Sequence, residues 1–386
     1  MVSDYLYSKM IEWRHSLHQM PEFGFETYDT AAFVVSRLLE IGVTEIETAI
    51  GGSGVVATLR NGNSNRAIAL RADMDALMIR EKNDISYKSL RPGFMHACGH
   101  DGHTTTLIGV AEVLHKEGGF DGIVHLIFQP AEEWGKGAQA MIDDGIIIQF
   151  PFEEIWGFHN MPGVPIGHFQ TCPGAIMAAE DNFEIKLNGK GGHSSSPHKI
   201  KEALVPACSL ILELQTIVSR KIDANETAVI SVTELECNGT RNTLPGTGII
   251  KGDVRTLVTK VSNQVRDEIR KISKAIGLAH DLEVEFNYSN EFIPLINDPK
   301  LTSHTVEIVS KLFGKDKING EISPILGSED FARFLNHVPG SFVFIGNGED
   351  SAPLHNPNYD FNDESLKSGT QYLVSLARSR LPATPS

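Results

Sequence analysis

The sequence predicts an α/β domain with a mostly parallel central sheet, into which a ferredoxin-like α+β lid domain is inserted. Three observations carry this prediction. From the N-terminal region to His159, apolar strand-like runs alternate with amphipathic helical ones, the order of a parallel α/β sheet. Near Ala178 the texture changes to half-exposed strands and helices in the order β-α-β-β-α-β, spread over about 110 residues. After Ile293 the α/β pattern resumes. The expected division is therefore a discontinuous domain of residues 1–178 and 292–386 around an insert of residues 179–291. A chain of 386 residues is too long for one ordinary core, which agrees.

Residues 6–41 show helical spacing of Ile11, Trp13, Leu17, Val34 and Leu38, and Pro21-Glu22-Phe23-Gly24 divides the stretch into two helices. Gly54–Leu59 and Ala67–Arg71 are strands around the Asn61-Gly62-Asn63 turn, and the second runs straight into Asp73 and Asp75. Thr104–His115 is a helix with Leu107, Val110, Ala111 and Leu114 on one face. Ile123–Phe128 suits a strand buried on both faces and ends at Gln129-Pro130-Ala131-Glu132-Glu133. Gly135–Asp144 is the next helix, and the short strand Ile155–Phe158 delivers His159-Asn160. In the insert, strands are expected at Asn182–Asn188, Thr227–Leu235, Gly248–Leu257 and Leu282–Tyr288, with helices at Ala203–Val218 and Lys260–Ile276. The remaining elements are a helix at Leu301–Phe313, a strand at Ser341–Ile345 and a helix at Glu364–Leu381, with His355 in the loop after the strand.

Composition excludes several function classes. With 41% hydrophobic and 22% charged residues the chain has the make-up of a soluble globular protein. A net charge of −15 argues against a nucleic acid partner. No apolar run is long enough to span a bilayer, so no membrane partner is expected. Met1–His18 is mixed and charged, without the apolar core of a signal peptide. Four cysteines at irregular positions 98, 172, 208 and 237 make no disulfide framework and suit a reducing cytoplasm.

The chemistry concentrates in Met95-His96-Ala97-Cys98-Gly99-His100-Asp101-Gly102-His103. Thiol, imidazole and carboxylate are the ligand types of a borderline-soft divalent ion such as zinc. Carboxylates or imidazoles also follow the strands ending near Arg71, Phe128, Phe158 and Ile345, and the carboxyl ends of strands are where open α/β sheets place their chemistry. That repetition points to a metal site. His96 and His103 are expected to serve local hydrogen bonds.

His96–Asp101, Glu132-Glu133, Gly191-Gly192-His193 and Ser328-Glu329-Asp330-Phe331 resemble the motifs of the aminoacylase, hippurate hydrolase and indole-acetyl-amino-acid hydrolase group of dinuclear metal amidohydrolases. That group belongs to the aminoacylase–carboxypeptidase metallopeptidase superfamily, and the resemblance runs from about Trp13 to Tyr372. It implies Cys98, His100, Glu133, His159 and His355 as metal ligands, Glu132 as general base and Asp75 as a group orienting a ligand imidazole. It also implies His193 as the stabiliser of the tetrahedral oxyanion, with Asn242 and Arg255 holding the substrate α-carboxylate. The cofactors so implied are two divalent ions per subunit, among zinc, manganese, cobalt and nickel. The substrate so implied is a small N-acyl-amino acid, with an acetyl, benzoyl or indole-acetyl group, and an open sheet edge in the lid leads us to expect a homo-oligomer through it.

Three positions depart from the wider pattern. Asp73 stands where other members carry a ligand histidine, Met78 where a proline is usual, and Gly246 where an aspartate often follows the proline. Two rival readings are a dipeptidase or carboxypeptidase on the same scaffold, and a metal- or ligand-binding protein without activity. Glu132 favours an enzyme, because a base that binds no metal serves no purpose in storage.

Overall fold

The computed structural model describes residues 2–383. In chain order the first part contains α1 (Asp4–Gln19), α2 (Tyr28–Ile41), β1 (Ile46–Ile50), β2 (Gly54–Asn61), β3 (Ala67–Asp73), α3 (His100–Glu117), β4 (Gly122–Gln129), α4 (Gly137–Asp143), α5 (Ile146–Gln149), β5 (Glu154–Met161), β6 (Phe169–Gln170) and β7 (Gly174–Met177). Then come β8 (Ala179–Asn188), β9 (Gly192–His193), α6 (Leu204–Arg220), β10 (Ala228–Glu236), β11 (Thr243–Leu244), β12 (Thr247–Thr256), α7 (Thr259–Ala279) and β13 (Glu283–Phe292). The chain closes with β14 (Leu295–Asn297), α8 (Pro299–Phe313), β15 (Ile318–Asn319), β16 (Gly340–Gly346) and α9 (Glu364–Arg380).

Two compact units result. Of the described residues, the first comprises 2–176, 296–323 and 329–383, and the second 177–295 and 324–328. The insert thus begins and ends within a few residues of the sequence boundaries, but the short segment Pro324–Ser328 joins the second unit.

In the first unit an eight-stranded sheet has the order β1-β2-β4-β3-β5-β16-β6-β15. Its middle, β4-β3-β5-β16, is parallel throughout, so four strands end on the same edge. These strands are buried along nearly their whole length, as their unbroken apolar runs require. Helices α1, α2, α3 and α9 cover the sheet, with Met10, Leu38, Leu107, Val110, Phe128, Trp156 and Leu373 in the core. Packing of this kind, rather than helix propensity, holds α3: fifteen of its residues are buried, several of them polar.

In the second unit a four-stranded antiparallel sheet has the order β10-β12-β8-β13, with α6 and α7 packed on it. Strand β8 alternates buried and half-exposed residues along its length, with Phe183, Ile185 and Leu187 facing Leu210, Leu214, Val265 and Ile269. This is the ferredoxin-like order expected from the β-α-β-β-α-β pattern. Among the described residues, no helix is long and apolar enough to cross a membrane.

Candidate metal centre and active site

Helix α3 begins at His100 rather than near Thr104, so one proposed ligand lies at a helix start. Gly99 makes this entry possible: its φ is +88°, and a Cβ there would collide with Asn160 and Tyr359. Asn160, at the end of β5, donates from Nδ2 to the Cys98 carbonyl at 2.6 Å and accepts from the Tyr359 hydroxyl at 2.6 Å. The loop carrying His355 is stitched to the same turn by its own N–H, which donates to the Ala97 carbonyl at 2.8 Å. Two non-glycine residues here hold left-handed backbone, Ala131 at φ +51° and His355 at φ +63°. Both flank or carry predicted chemistry, where stored strain is usually found.

The five predicted ligands converge. Cys98, His100 and His159 form one group and Cys98, Glu133 and His355 a second, each with its ligand atoms within 4.8 Å of one another. Cys98 Sγ lies 3.3 Å from His159 Nε2, His355 Nε2 lies 3.4 Å from Glu133 Oε2, and His100 Nε2 lies 3.9 Å from Glu133 Oε1. Cys98, His100 and His159 are buried, whereas the His355 side chain is 55% exposed, which leaves the cluster open on that side.

Two of the three predicted ligand imidazoles, His100 and His159, have Nδ1 engaged, which aims Nε2. His100 Nδ1 donates to the Asp75 carbonyl at 2.8 Å, and His159 Nδ1 donates to the Asn160 carbonyl at 2.6 Å. His100 Nε2 and Glu133 Oε1 are then buried without a hydrogen-bond partner. Unsatisfied buried groups of this kind are costly unless something outside the chain meets them. Thiol, imidazole and carboxylate donors arranged around such orphaned atoms fit divalent metal ions.

Charge points the same way. Burial opposes a proton on His100, but Asp73, Asp75 and Glu133 raise its pKa to about 10, a measure of how strongly the cradle attracts positive charge. Burial first, then His103, keeps His159 well below its ordinary value, in the neutral form that binds metal. Burial and the neighbouring Glu133 and Glu132 push the Cys98 thiol up; a cation beside the sulfur reverses that. Burial, then Glu329 and Glu133, likewise raises Glu132. Burial works against ionisation of Glu133, yet His355 and His100 hold its pKa below the usual range.

Glu132 is buried beside the ligands, its Oε2 4.0 Å from His100 Nε2. Asp75 supports it in a way the sequence did not suggest. Its carboxylate accepts the backbone N–H of Glu132 at 3.0 Å and of Glu133 at 3.1 Å, while its carbonyl accepts the hydrogen bond from His100 Nδ1. One residue thus fixes both the Glu132-Glu133 turn and the His100 ring.

His103 matches expectation: Nδ1 bonds Asp73 at 2.6 Å and Nε2 accepts the Asn160 N–H at 3.0 Å. His96 does not. Both its ring nitrogens are buried without a hydrogen bond, and burial holds its pKa down to about 3, so it packs as a neutral ring near His18.

Beneath the cluster lies a group that sequence reasoning missed. The fully buried Arg71 donates to Gln129 at 2.8 Å, Asp73 at 2.7 Å, Glu329 at 3.0 Å and Asp330 at 3.0 Å. Asp330 also accepts from Gln129 at 2.7 Å and from the Ala138 N–H at 2.9 Å. The ends of β3 and β4 and the start of α4 are thereby tied to the Ser328–Phe331 motif. An arginine inside an apolar strand just before Asp73 was the available signal.

The remaining predicted residues belong to the second unit. His193 in β9 pairs with Thr243 in β11, and the Ser194 N–H donates to the Asn242 carbonyl at 3.0 Å. His193 Nδ1 accepts the Ser195 N–H at 3.1 Å, which leaves its proton on Nε2. Arg255 is engaged with Glu180 and Asp253, both at 2.8 Å, and with Ser328 at 2.9 Å.

The chain is similar to several known proteins along nearly its whole length. The chain is 39% identical to the hippurate hydrolase of Campylobacter jejuni over 365 residues, 94% of each protein. It is 36% identical to the N-acetyl-L-cysteine deacetylase of Bacillus subtilis, covering 97% of this chain and 89% of the relative. Among solved structures, the YXEP protein of Bacillus subtilis, described as a dinuclear metal-binding peptidase from the M20 family, superposes with a TM-score of 0.86 at 28% identity, over 98% of this chain and 99% of that one. A family model described as Peptidase family M20/M25/M40 matches residues 69–379, and the chain belongs to that family.

Proposed function

We propose that the protein is a metal-dependent amidohydrolase that cleaves an N-acyl-L-amino acid into a carboxylic acid and a free amino acid. The observation that carries this reading is the adjacency of Glu132 and Glu133. Glu133 joins the ligand groups of Cys98 and His355, while Glu132 is held beside them by the Asp75 carboxylate. The names of the relatives support the substrate class.

Cys98, His100, Glu133, His159 and His355 would hold the divalent ions. When bound, such ions lower the pKa of water and polarise the scissile carbonyl. Glu132 takes the proton of the attacking water and passes it to the leaving nitrogen. Because water must be activated beside it, its buried position among acids is tolerable only with cationic neighbours. His193, with its proton on Nε2, has the tautomer needed to donate to an oxyanion. Asn242 and Arg255 are assigned the substrate carboxylate; at Arg255 that carboxylate competes with Glu180 and Asp253. The S, N and O donors accept zinc, manganese, cobalt or nickel. The unpaired edge of β10 supports a homo-oligomer formed by strand pairing there, and four free cysteines support a cytoplasmic setting.

The test is to strip the protein with a chelator, reload it with each metal and assay N-acetyl, N-benzoyl and indole-acetyl amino acids beside matching dipeptides. Metal-restored release of amino acid from acylated substrates is the expected result. Activity confined to dipeptides moves the protein to the peptidases, and silence across the panel leaves a binding protein.

A further inference from the structure

Trp134 follows the metal ligand Glu133 directly, and its surroundings are unlike those of the other two tryptophans. Trp13 and Trp156 are core residues, 5% and 0% exposed, whereas Trp134 is 38% exposed. Its ring meets Phe23 edge-on at 5.0 Å and Phe25 at 5.8 Å, and Phe23 in turn lies 6.3 Å from Phe94. Gly24, between the two phenylalanines, has φ +59°, and any side chain there would run into the indole. The turn is shaped to receive the ring.

This aromatic group is built onto the loops of the metal cluster. The Ala131 N–H donates to the Gly24 carbonyl at 3.1 Å, and the Ala76 N–H donates to the Glu22 carbonyl at 2.6 Å. Ala131 precedes Glu132 and Glu133, and Ala76 follows Asp75, whose carboxylate holds both their backbone amides. Phe94 lies just before the His96–Asp101 stretch. Two ligand-bearing segments, through Trp134 and Phe94, and the α1–α2 loop hydrogen-bonded to them, through Phe23 and Phe25, therefore bring their aromatic side chains together at one half-exposed place.

We infer that Trp134, supported by Phe23, Phe25 and Phe94, is the seat of the substrate's acyl group, and that the enzyme selects planar aromatic acyl groups over acetyl. The inference rests on the amidohydrolase reading above. The acyl carbonyl must reach the ligand cluster, so its substituent begins beside Glu133, and the neighbouring Cα is only about 3.8 Å further along the chain. Aromatic rings gain from edge-to-face and offset contacts with one another, and a methyl group offers no such contact.

The experiment compares wild type, Trp134→Ala, Trp134→Phe and Trp134→Leu, each metal-loaded, on N-benzoyl, indole-acetyl and N-acetyl derivatives of one amino acid. Trp134→Ala and Trp134→Leu are expected to lower kcat/KM for the aromatic substrates about tenfold or more and to leave the acetyl substrate within about twofold, with Trp134→Phe between. In parallel, benzoate is expected to quench the wild-type tryptophan emission saturably and acetate to leave it unchanged. The quench should vanish in Trp134→Phe while benzoate still inhibits. An equal fall for all acyl groups, or no effect of benzoate on emission, overturns the seat. If wild type cleaves no acylated amino acid, the functional reading fails, and the benzoate titration still decides whether the ring surface binds an aromatic acid.

Discussion

Two buried polar clusters, one in each unit, are built in opposite ways. In the second unit Asp181 is fully buried, and its carboxylate accepts from Ser262 at 2.5 Å, Tyr288 at 2.8 Å and Asn290 at 2.5 Å. Neutral donors from α7 and β13 surround it, so it ties β8 to its neighbours and asks for nothing more. In the first unit the carboxylates and imidazoles around Cys98 crowd together, yet His100 Nε2 and Glu133 Oε1 find no partner in the chain. Arg71 balances part of the charge from below through Asp73, Glu329 and Asp330. Burial, with Arg71 opposing and Glu329 adding, still lifts Asp330 to about 8. A satisfied cluster is architecture; one that stays short of partners on an open face is built for a ligand.

Four measurements break or sharpen this contrast. The largest effect belongs to Glu132→Gln, which should keep its metal by elemental analysis and lose about a thousandfold or more in turnover. Unchanged turnover would remove Glu132 from the base role. Next is Asp75→Ala, which frees the Glu132-Glu133 turn and the His100 ring together. Metal affinity, read by competition with a chelator, should fall about a hundredfold.

In the second unit, Asp181→Ala removes the acceptor that Ser262, Tyr288 and Asn290 share and should cost about 2 kcal/mol in urea unfolding, with metal affinity unaltered. A matching loss of metal would erase the distinction between the clusters. The smallest effect is a pH control. His125, at the buried face of β4, bonds Thr58 at 3.0 Å; burial first, then Arg60, lowers its pKa to about 4, with Glu45 opposing. The folded state therefore holds fewer protons than the unfolded one between pH 6.5 and 4, and stability falls as the pH drops through that window. The loss is about 1.4 kcal/mol at pH 5.5, and a His125→Gln variant should not show it.

Much of the site is legible in the sequence because its residues sit at strand ends, and strands of one apolar type announce a buried parallel sheet. The strand-end pattern and the family resemblance single out Cys98, His100, Glu133, His159 and His355, and the fold brings these five side chains together. What stays hidden depends on distance along the chain. Arg71 meets Glu329 across 258 positions, and no local pattern reveals such a pairing. The Asp75 carboxylate spends itself on two backbone amides, which side-chain motifs do not encode. His96 shows the converse error: dense polar surroundings in sequence suggested a hydrogen bond, but both ring nitrogens are buried without one. The short strands β6 and β15, two residues each, are too brief for any periodicity to show.

The most direct test of the central claim is the metal content of the protein after equilibrium dialysis, wild type beside Glu133→Gln and His159→Ala, read by elemental analysis. Orphaned atoms that serve as ligands predict about two divalent ions per wild-type chain and a clear loss in both variants. Wild type without bound metal, or variants that bind as much as wild type, would contradict it.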